Sequence, residues 1–177
     1  MDQRAQIGYT TMSSPVGELL LSGSGGALSG LTMHRPGEPL PVRAGWRRDD
    51  AALAAAVAQL GEYFAGRRTS FDVPLAPQGT PFQRRVWELL VQIPYGHTTS
   101  YGALARELGQ PDASRAVGLA NGRNPIAIVI PCHRVVGSDG SLTGYGGGLD
   151  RKRWLLDLER SVSNPIEELP LFSGASA

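Results

Sequence analysis

Apolar positions along the chain change character near residue 80. Before it, Ile7 to Tyr9, Val16 to Leu21 and Leu28 to Met33 are short stretches set apart by Ser-Ser-Pro-Val-Gly and Gly-Ser-Gly-Gly punctuation. That rhythm predicts an antiparallel strand meander. Residues 34 to 48, with three prolines and two glycines, predict a loop. Leu53, Val57, Leu60 and Phe64 then recur at helical spacing on an alanine-rich background, with Asp49 and Asp50 as caps and Gly66 as terminator. Phe71-Asp72-Val73 reads as strand-like, and Pro74 to Gly79 as a linker.

From residue 80 the pattern is mainly helical. Thr80 can cap, Pro81 takes the first helical position and Gln83 completes a capping box, after which Phe82, Val86, Leu89, Leu90 and Ile93 line one face until Pro94. A second helix is expected from Ser100 to Leu108 and a third from Asp112 to Asn121, joined by the turn Gly109-Gln110-Pro111, with Gly122 as C-terminal residue. Two short helices on a glycine-bearing turn form a candidate helix-turn-helix. Ile126 to Ile130, between Pro125 and Pro131, reads as a short buried strand that delivers Cys132 to its end. Beyond it come a hairpin-like Ser138-Asp139-Gly140, the loop Gly144 to Gly148, and a final helix from Asp150 to Arg160 with Trp154, Leu155 and Leu158 facing inward. The tail from Ser161 is expected to be poorly ordered.

Composition narrows the class. With 177 residues, 41% hydrophobic and 19% charged, the chain fits a compact soluble protein. Aliphatic stretches such as Ile126 to Ile130 fall far short of the roughly 20 apolar residues of a membrane helix. The N-terminal residues lack a basic segment followed by an apolar one, so a cytoplasmic location is expected. Cys132 is the sole cysteine, which excludes an internal disulfide and turns attention to the thiol itself. Residues 80 to 160 hold ten basic and seven acidic side chains, against seven of each in residues 1 to 79. That excess is a mild pointer to a polyanion.

Most lone cysteines are small hydrophobes. Cys132, however, follows a proline and precedes His133 and Arg134, which offer a base and a cation to a thiolate. On the third helix Ala113, Ser114, Ala116, Gly118 and Ala120 are small and Arg115 is the one long cation. Bidentate reading of several bases is therefore out of reach, while close backbone approach to DNA is open. On residues alone, a helix-turn-helix module with a structural Cys132 and a cysteine hydrolase using Cys132 and His133 both stand beside a group-transfer reading.

Asn124 to Val136, centred on Pro131-Cys132-His133-Arg134, resembles the active-site signature of the O6-alkylguanine-DNA alkyltransferases. The resemblance runs in order through Ser100-Tyr101, Ser114 to Gly118, Gly144 to Gly147 and Trp154 to Glu159. It implies a two-domain α/β protein: a ribonuclease-H-like domain over 1–78, a winged-helix-like DNA-binding and catalytic domain over 79–160, and a tail over 161–177. It further implies single, irreversible transfer of an alkyl group from O6-alkylguanine in double-stranded DNA, or O4-alkylthymine, to Cys132.

Within that resemblance His133 deprotonates the thiol through a water and Glu159 orients the histidine. Tyr101 assists the leaving base and Tyr145 lines the pocket. The backbones of Cys132 and Val135 receive the exocyclic amine, and the backbone at Gly146 and Gly147 faces O6. Asn124 braces the turn before the active-site segment. Arg115, flanked by Ser114 and Ala116, fills the duplex where the nucleotide leaves, with the helix in the minor groove. No cofactor and no metal are expected, His34 and His97 being surface or structural residues, and a monomer is expected in solution. Because a nucleophilic cysteine is present, damage sensing without transfer is disfavoured.

Overall fold

A computed structural model describes residues 6–164. Three strands, β1 (Gly8–Ser14), β2 (Gly17–Ser24) and β3 (Ala27–His34), form the expected antiparallel meander. The β1–β2 turn depends on Gly17, whose φ is +105° and where a Cβ would lie 2.3 Å from the His34 carbonyl oxygen. Arg47–Arg48, inside the stretch read as loop, adds a two-residue strand β4 parallel to β1, giving the order β3-β2-β1-β4. Its brevity and its paired arginines hide it from any alternation test.

Helix α1 (Ala54–Phe64) follows. Asp49 accepts from the Ala52 amide in the turn ahead of it, while Asp50 is taken by Thr10 and Arg48, so neither caps the helix proper. Leu53, Ala56, Leu60 and Tyr63 are the buried face, with Val57 and Phe64 packed at its margin. Phe71 to Val73 is not a strand. The segment meets the sheet just beyond it, where Leu75 bridges to Leu28.

Helix α2 (Pro81–Val91) starts on the anticipated capping box between Thr80 and Gln83. Helices α3 (Tyr101–Glu107, capped by Ser100) and α4 (Ser114–Gly122) form the helix-turn-helix pair, and both α2 and α3 pack on α4. Two further strands, β5 (Thr99–Ser100) and β6 (Val135–Val136), pair in parallel. The last helix, α5 (Leu149–Ser163), runs three residues beyond Arg160, so residues 161–163 are helical rather than tail. Residues 165–177 lie outside the described residues. Among those described, no helix is long and apolar enough to cross a membrane.

The free edge of β3 explains how the halves join. Leu28 exchanges hydrogen bonds with Pro74 and Ala76, and Leu31 with Pro125 and Ala127, so an edge that would otherwise present bare N–H and C=O groups is covered by the linker and by the segment leading to Cys132. One apolar core runs from Leu19, Leu21, Leu31 and Leu60 to Val86, Leu90, Val117 and Leu155. Burying each such side chain contributes about 1.5–3 kcal/mol.

Residues 126–130 correct the expectation of a strand. Only Ile126 pairs with β3; the chain then turns on itself, with the Ile130 amide donating to Ile126 and the Val129 amide to Ala127. Asn124 locks the turn from both ends, its Nδ2 donating to the Ile130 carbonyl at 2.7 Å and its Oδ1 accepting from the Ile126 amide at 3.0 Å. Ile128 sits at φ 71°, alone among the described non-glycine residues in the left-handed region. A β-branched residue held there costs on the order of 1–3 kcal/mol, which full burial of Ile128 and the Asn124 clamp offset.

Candidate active site

The strained turn ends at Pro131, and Cys132–Arg134 forms one turn of 3-10 helix. This tight turn separates neighbouring side chains. Cys132 lines a cavity of about 320 Å3, whereas His133 and Arg134 point into the protein. The cavity is walled by Asn121, Asn124 and Ala127 on one side and by Tyr145, Gly146 and Gly147 on another, and β3 closes it with Leu31 to Met33. A Cβ on Gly147 would lie 2.8 Å from Met33 Cε and 2.9 Å from the Tyr145 ring, so any larger residue would have to displace these side chains of the cavity wall.

Behind Cys132 is a fully buried ion-pair network. His133 Nε2 lies 2.7 Å from Glu159 Oε1, and both residues have zero exposure. Glu159 also accepts from Arg134 Nη2 and Nε at 3.0 and 2.9 Å, from the Gly96 amide at 3.1 Å and from the Tyr63 hydroxyl at 2.8 Å. Five donors on one carboxylate satisfy its burial. Against the upward push of burial, His133 and Arg134 hold the Glu159 pKa down at about 2. Burial pushes His133 below its ordinary value although Glu159 opposes this, so the resting imidazole is neutral near pH 7 and free to accept a proton. Its Nδ1 has no hydrogen-bond partner among the described residues.

The sequence offered Arg134 as the cation for the thiolate, and the structure reassigns it. Its guanidinium is spent on Glu159 and on the Ile93 carbonyl, and it stacks over the Tyr95 ring. The cation that acts on Cys132 is Lys152, fully buried on α5, whose Nζ donates to the carbonyls of Val135 and Thr143 at 2.6 and 2.8 Å. Burial raises the Cys132 pKa, while the Asn124 amide, the Lys152 charge and the Tyr145 hydroxyl pull the other way. The thiol is therefore the resting form, and ionising it requires a base. The Tyr145 hydroxyl lies near the thiol, burial and the thiol raise its pKa well above the ordinary value, and it has no hydrogen-bond partner among the described residues.

The structure thus gathers Cys132, Asn124, Tyr145, Gly146 and Gly147 around one cavity, with His133 and Glu159 directly behind it. Val135 is buried, its carbonyl occupied by Lys152. Tyr101 is outside the lining residues; its ring packs beside Gly118 of α4 and its hydroxyl reaches toward the Thr143 carbonyl at 3.5 Å, next to the pocket loop. On α4, Arg115 and Ala116 are exposed and Ser114 is half-buried at the first position. His34 bonds Thr32 and His97 bonds the Tyr95 carbonyl.

Sequence reasoning missed Tyr63, Lys152, Asn121 and the β3 wall. One signal for Lys152 was available: Lys152, Leu155, Leu156 and Glu159 fall on one helical face, so two ionisable groups share the stripe that must be buried. The inward face of α5 is that stripe together with Arg151. Trp154 and Leu158 are only half-buried, which corrects the expected orientation by a fraction of a turn.

Fold and site together set a helix-turn-helix pair beside a buried cysteine and a buried histidine-carboxylate pair. Residues 81–161 match the 6-O-methylguanine DNA methyltransferase DNA binding domain, and residues 7–77 the ribonuclease-like domain of the same family. The chain belongs to that family. It is 56% identical over 155 residues to the methylated-DNA–protein-cysteine methyltransferase of Mycobacterium bovis, covering 88% of this chain and 93% of the relative. The Methanosarcina acetivorans protein of the same name is 50% identical over 153 residues, covering 86% and 98%. The solved structure of Mycobacterium tuberculosis OGT in complex with DNA superposes with a TM-score of 0.82 at 54% identity, covering 88% of this chain and 94% of that one.

Proposed function

We propose that the protein repairs O6-alkylguanine in double-stranded DNA by moving the alkyl group irreversibly onto Cys132. The observation that carries the reading is a buried thiol open to one cavity and backed by the His133–Glu159 pair. The matching fold of a relative solved on DNA supports the partner. An alkyl carbon on O6 is a poor electrophile, so its displacement needs a soft nucleophile and help for the leaving base.

The Cys132 proton passes to His133, whose imidazolium is stabilised by Glu159. Sγ bonds the alkyl carbon as the carbon–O6 bond breaks, its electron pair staying on the guanine. The Tyr101 phenol donates a hydrogen bond near N3 that eases the charge developing on the base, and the proton taken up by His133 is balanced by one delivered from solvent to N1, so that ordinary guanine leaves. The protein keeps a thioether, so each molecule acts once. Tyr145 stacks in the pocket, Gly146 and Gly147 offer backbone to O6, and the exocyclic amine meets the Cys132 carbonyl and the second lone pair of the Val135 carbonyl, whose first is held by Lys152. Asn124 holds the pocket turn. The α4 face carrying Ser114, Arg115 and Ala116 enters the minor groove, where Arg115 fills the gap left by the flipped nucleotide.

Intact-protein mass measurement after incubation with an O6-methylguanine duplex tests this. One methyl group retained on a peptide containing Cys132 is the expected result. A duplex repaired with the protein mass unchanged, or left unrepaired, would remove the reading.

A further inference from the structure

We propose that Tyr63, in the first half of the chain, is a positioning residue that sets the basicity of His133 through the carboxylate they share. The inference deepens the proposed alkyl transfer and rests on it for its kinetic readout. Tyr63 lies on α1, fully buried, and its hydroxyl donates to Glu159 Oε1 at 2.8 Å across 96 residues of sequence. The same oxygen meets His133 Nε2 at 2.7 Å and Arg134 Nη2 at 3.0 Å.

Three donors on one carboxylate oxygen compete for its lone pairs. Each bond made by Tyr63 or Arg134 withdraws electron density that would otherwise hold the His133 proton. Tyr63 and Arg134 therefore act against the imidazolium, and Glu159 acts for it. Arg134 does so with a full charge and also anchors the backbone at Ile93, so its removal would unpair a buried carboxylate. Tyr63 does so with a neutral group that can be taken away singly.

Titratable and charged groups face the pair from every element packed against it, Cys132 and Tyr145 from the cavity side among them. Tyr63 comes from α1, Ile93 and Tyr95 from the segment after α2, the Gly96 amide from the loop before β5, Arg134 from the 3-10 turn, and Lys152 and Glu159 from α5. Lys152 and Arg134 disfavour protonation of His133, and Glu159 favours it. Burial and the neighbouring carboxylate keep the Tyr63 phenol protonated well above its ordinary range, so it remains a donor throughout the working pH range. The Tyr63 ring packs against Phe64, Phe71 and Tyr95 at centroid distances of 5.5, 5.5 and 5.9 Å, contacts that phenylalanine retains.

The test is Tyr63→Phe, read in two ways. The chain has three histidines, so the His133 imidazole can be followed by NMR titration without any substrate. Its titration midpoint should rise by about one pH unit, as the loss of a hydrogen bond to a charged acceptor implies. In single-turnover transfer from free O6-benzylguanine, the acid limb of the pH profile should move up by a similar amount, while the rate on the alkaline plateau stays level or increases. Tyr63→Leu should shift the imidazole in the same direction at a cost in stability.

An imidazole midpoint unchanged in Tyr63→Phe overturns the proposal, as does a rate lowered equally at every pH. Failure of the unmodified protein to accept the benzyl group would instead count against the alkyl-transfer reading, and the NMR titration would still decide the role of Tyr63.

Discussion

Helix α4 buries Val117, Ala120 and Asn121 and turns its other face to solvent, with Arg115, Ala116 and Leu119 exposed, Leu119 at 67%, and Arg123 exposed just past its end. The relay beneath it does the opposite, with His133, Lys152 and Glu159 at zero exposure and every charge tied to a partner. One region can lose a side chain without disturbing its neighbours; the other cannot. The contrast separates two tasks. In the proposed function, gripping a duplex of any sequence needs a slim, exposed surface, whereas raising a thiol to a nucleophile needs charges held in a dry place, where they act strongly on one another.

The sharpest way to break the contrast is to remove the nucleophile. Cys132→Ser should lower transfer by at least about 10^3-fold, ~4 kcal/mol of barrier, on duplex and free base alike, while DNA affinity holds. A serine variant that repairs at a comparable rate, measured by single-turnover kinetics, would remove Cys132 from the mechanism.

Glu159→Gln comes next and should damage chemistry and stability together. Removing one partner of a buried network costs about 3–5 kcal/mol, and weaker support for His133 should slow transfer about 10^2-fold. The pH dependence follows from the sign of the shift. The Glu159 pKa of about 2 lies below its unfolded value near 4.5, so its stabilisation is complete above pH 4.5 and is lost as pH falls toward 2. The amount at stake is on the order of 3 kcal/mol. Denaturant unfolding between pH 6 and 2 should show this slope in the unmodified protein and lose it in Glu159→Gln. A variant with the same slope and the same transfer rate would make the carboxylate incidental.

Arg115→Ala probes the exposed side and should behave differently in kind. Extruding a stacked nucleotide costs a few kcal/mol, of which the side chain filling the gap offsets a part, so transfer from duplex DNA should fall about 10- to 100-fold. Transfer from free O6-benzylguanine and the thermal midpoint should stay unchanged. Equal losses on both substrates would place Arg115 in the service of the pocket and erase the division between the two regions.

The same division governs what could be read from the sequence. Helix α2 was legible because Thr80, Pro81 and Gln83 form a start signal that local chemistry decides. The helix-turn-helix was legible from Ser100, Gly109 and the small residues of α4. The relay was only half legible. His133 and Glu159 followed from the resemblance, but Tyr63 reaches Glu159 across 96 positions, and no local pattern records such a contact. Arg134 was misread because adjacency to Cys132 suggests proximity in space, while one 3-10 turn sends successive side chains to different sides. Ile126 to Ile130 looked like a strand by composition, and only the Asn124 clamp turns it into a loop.

The smallest effect expected joins the two regions. Alkylation of Cys132 adds volume to a side chain only 6% exposed, whose carbonyl accepts from Asn121 of α4 at 3.4 Å and whose turn is clamped by Asn124 immediately after that helix. Overpacking of this kind costs about 1–3 kcal/mol, and methyl should lie at the lower end. Ile128 is already held in a strained conformation four residues upstream, which leaves the turn little room to relax. The α4 boundary at Asn121 to Asn124 is the route by which the disturbance should reach the DNA-binding face. S-methylation should therefore lower the thermal midpoint by a few degrees, at about 2–4 °C per kcal/mol for a chain of this length, and S-benzylation should lower it further. Differential scanning calorimetry of unmodified, S-methylated and S-benzylated protein at one pH provides the measurement. Midpoints that stay level or climb along the series would show that the cavity side of Cys132 takes up the added group, and that the relay and α4 are mechanically independent.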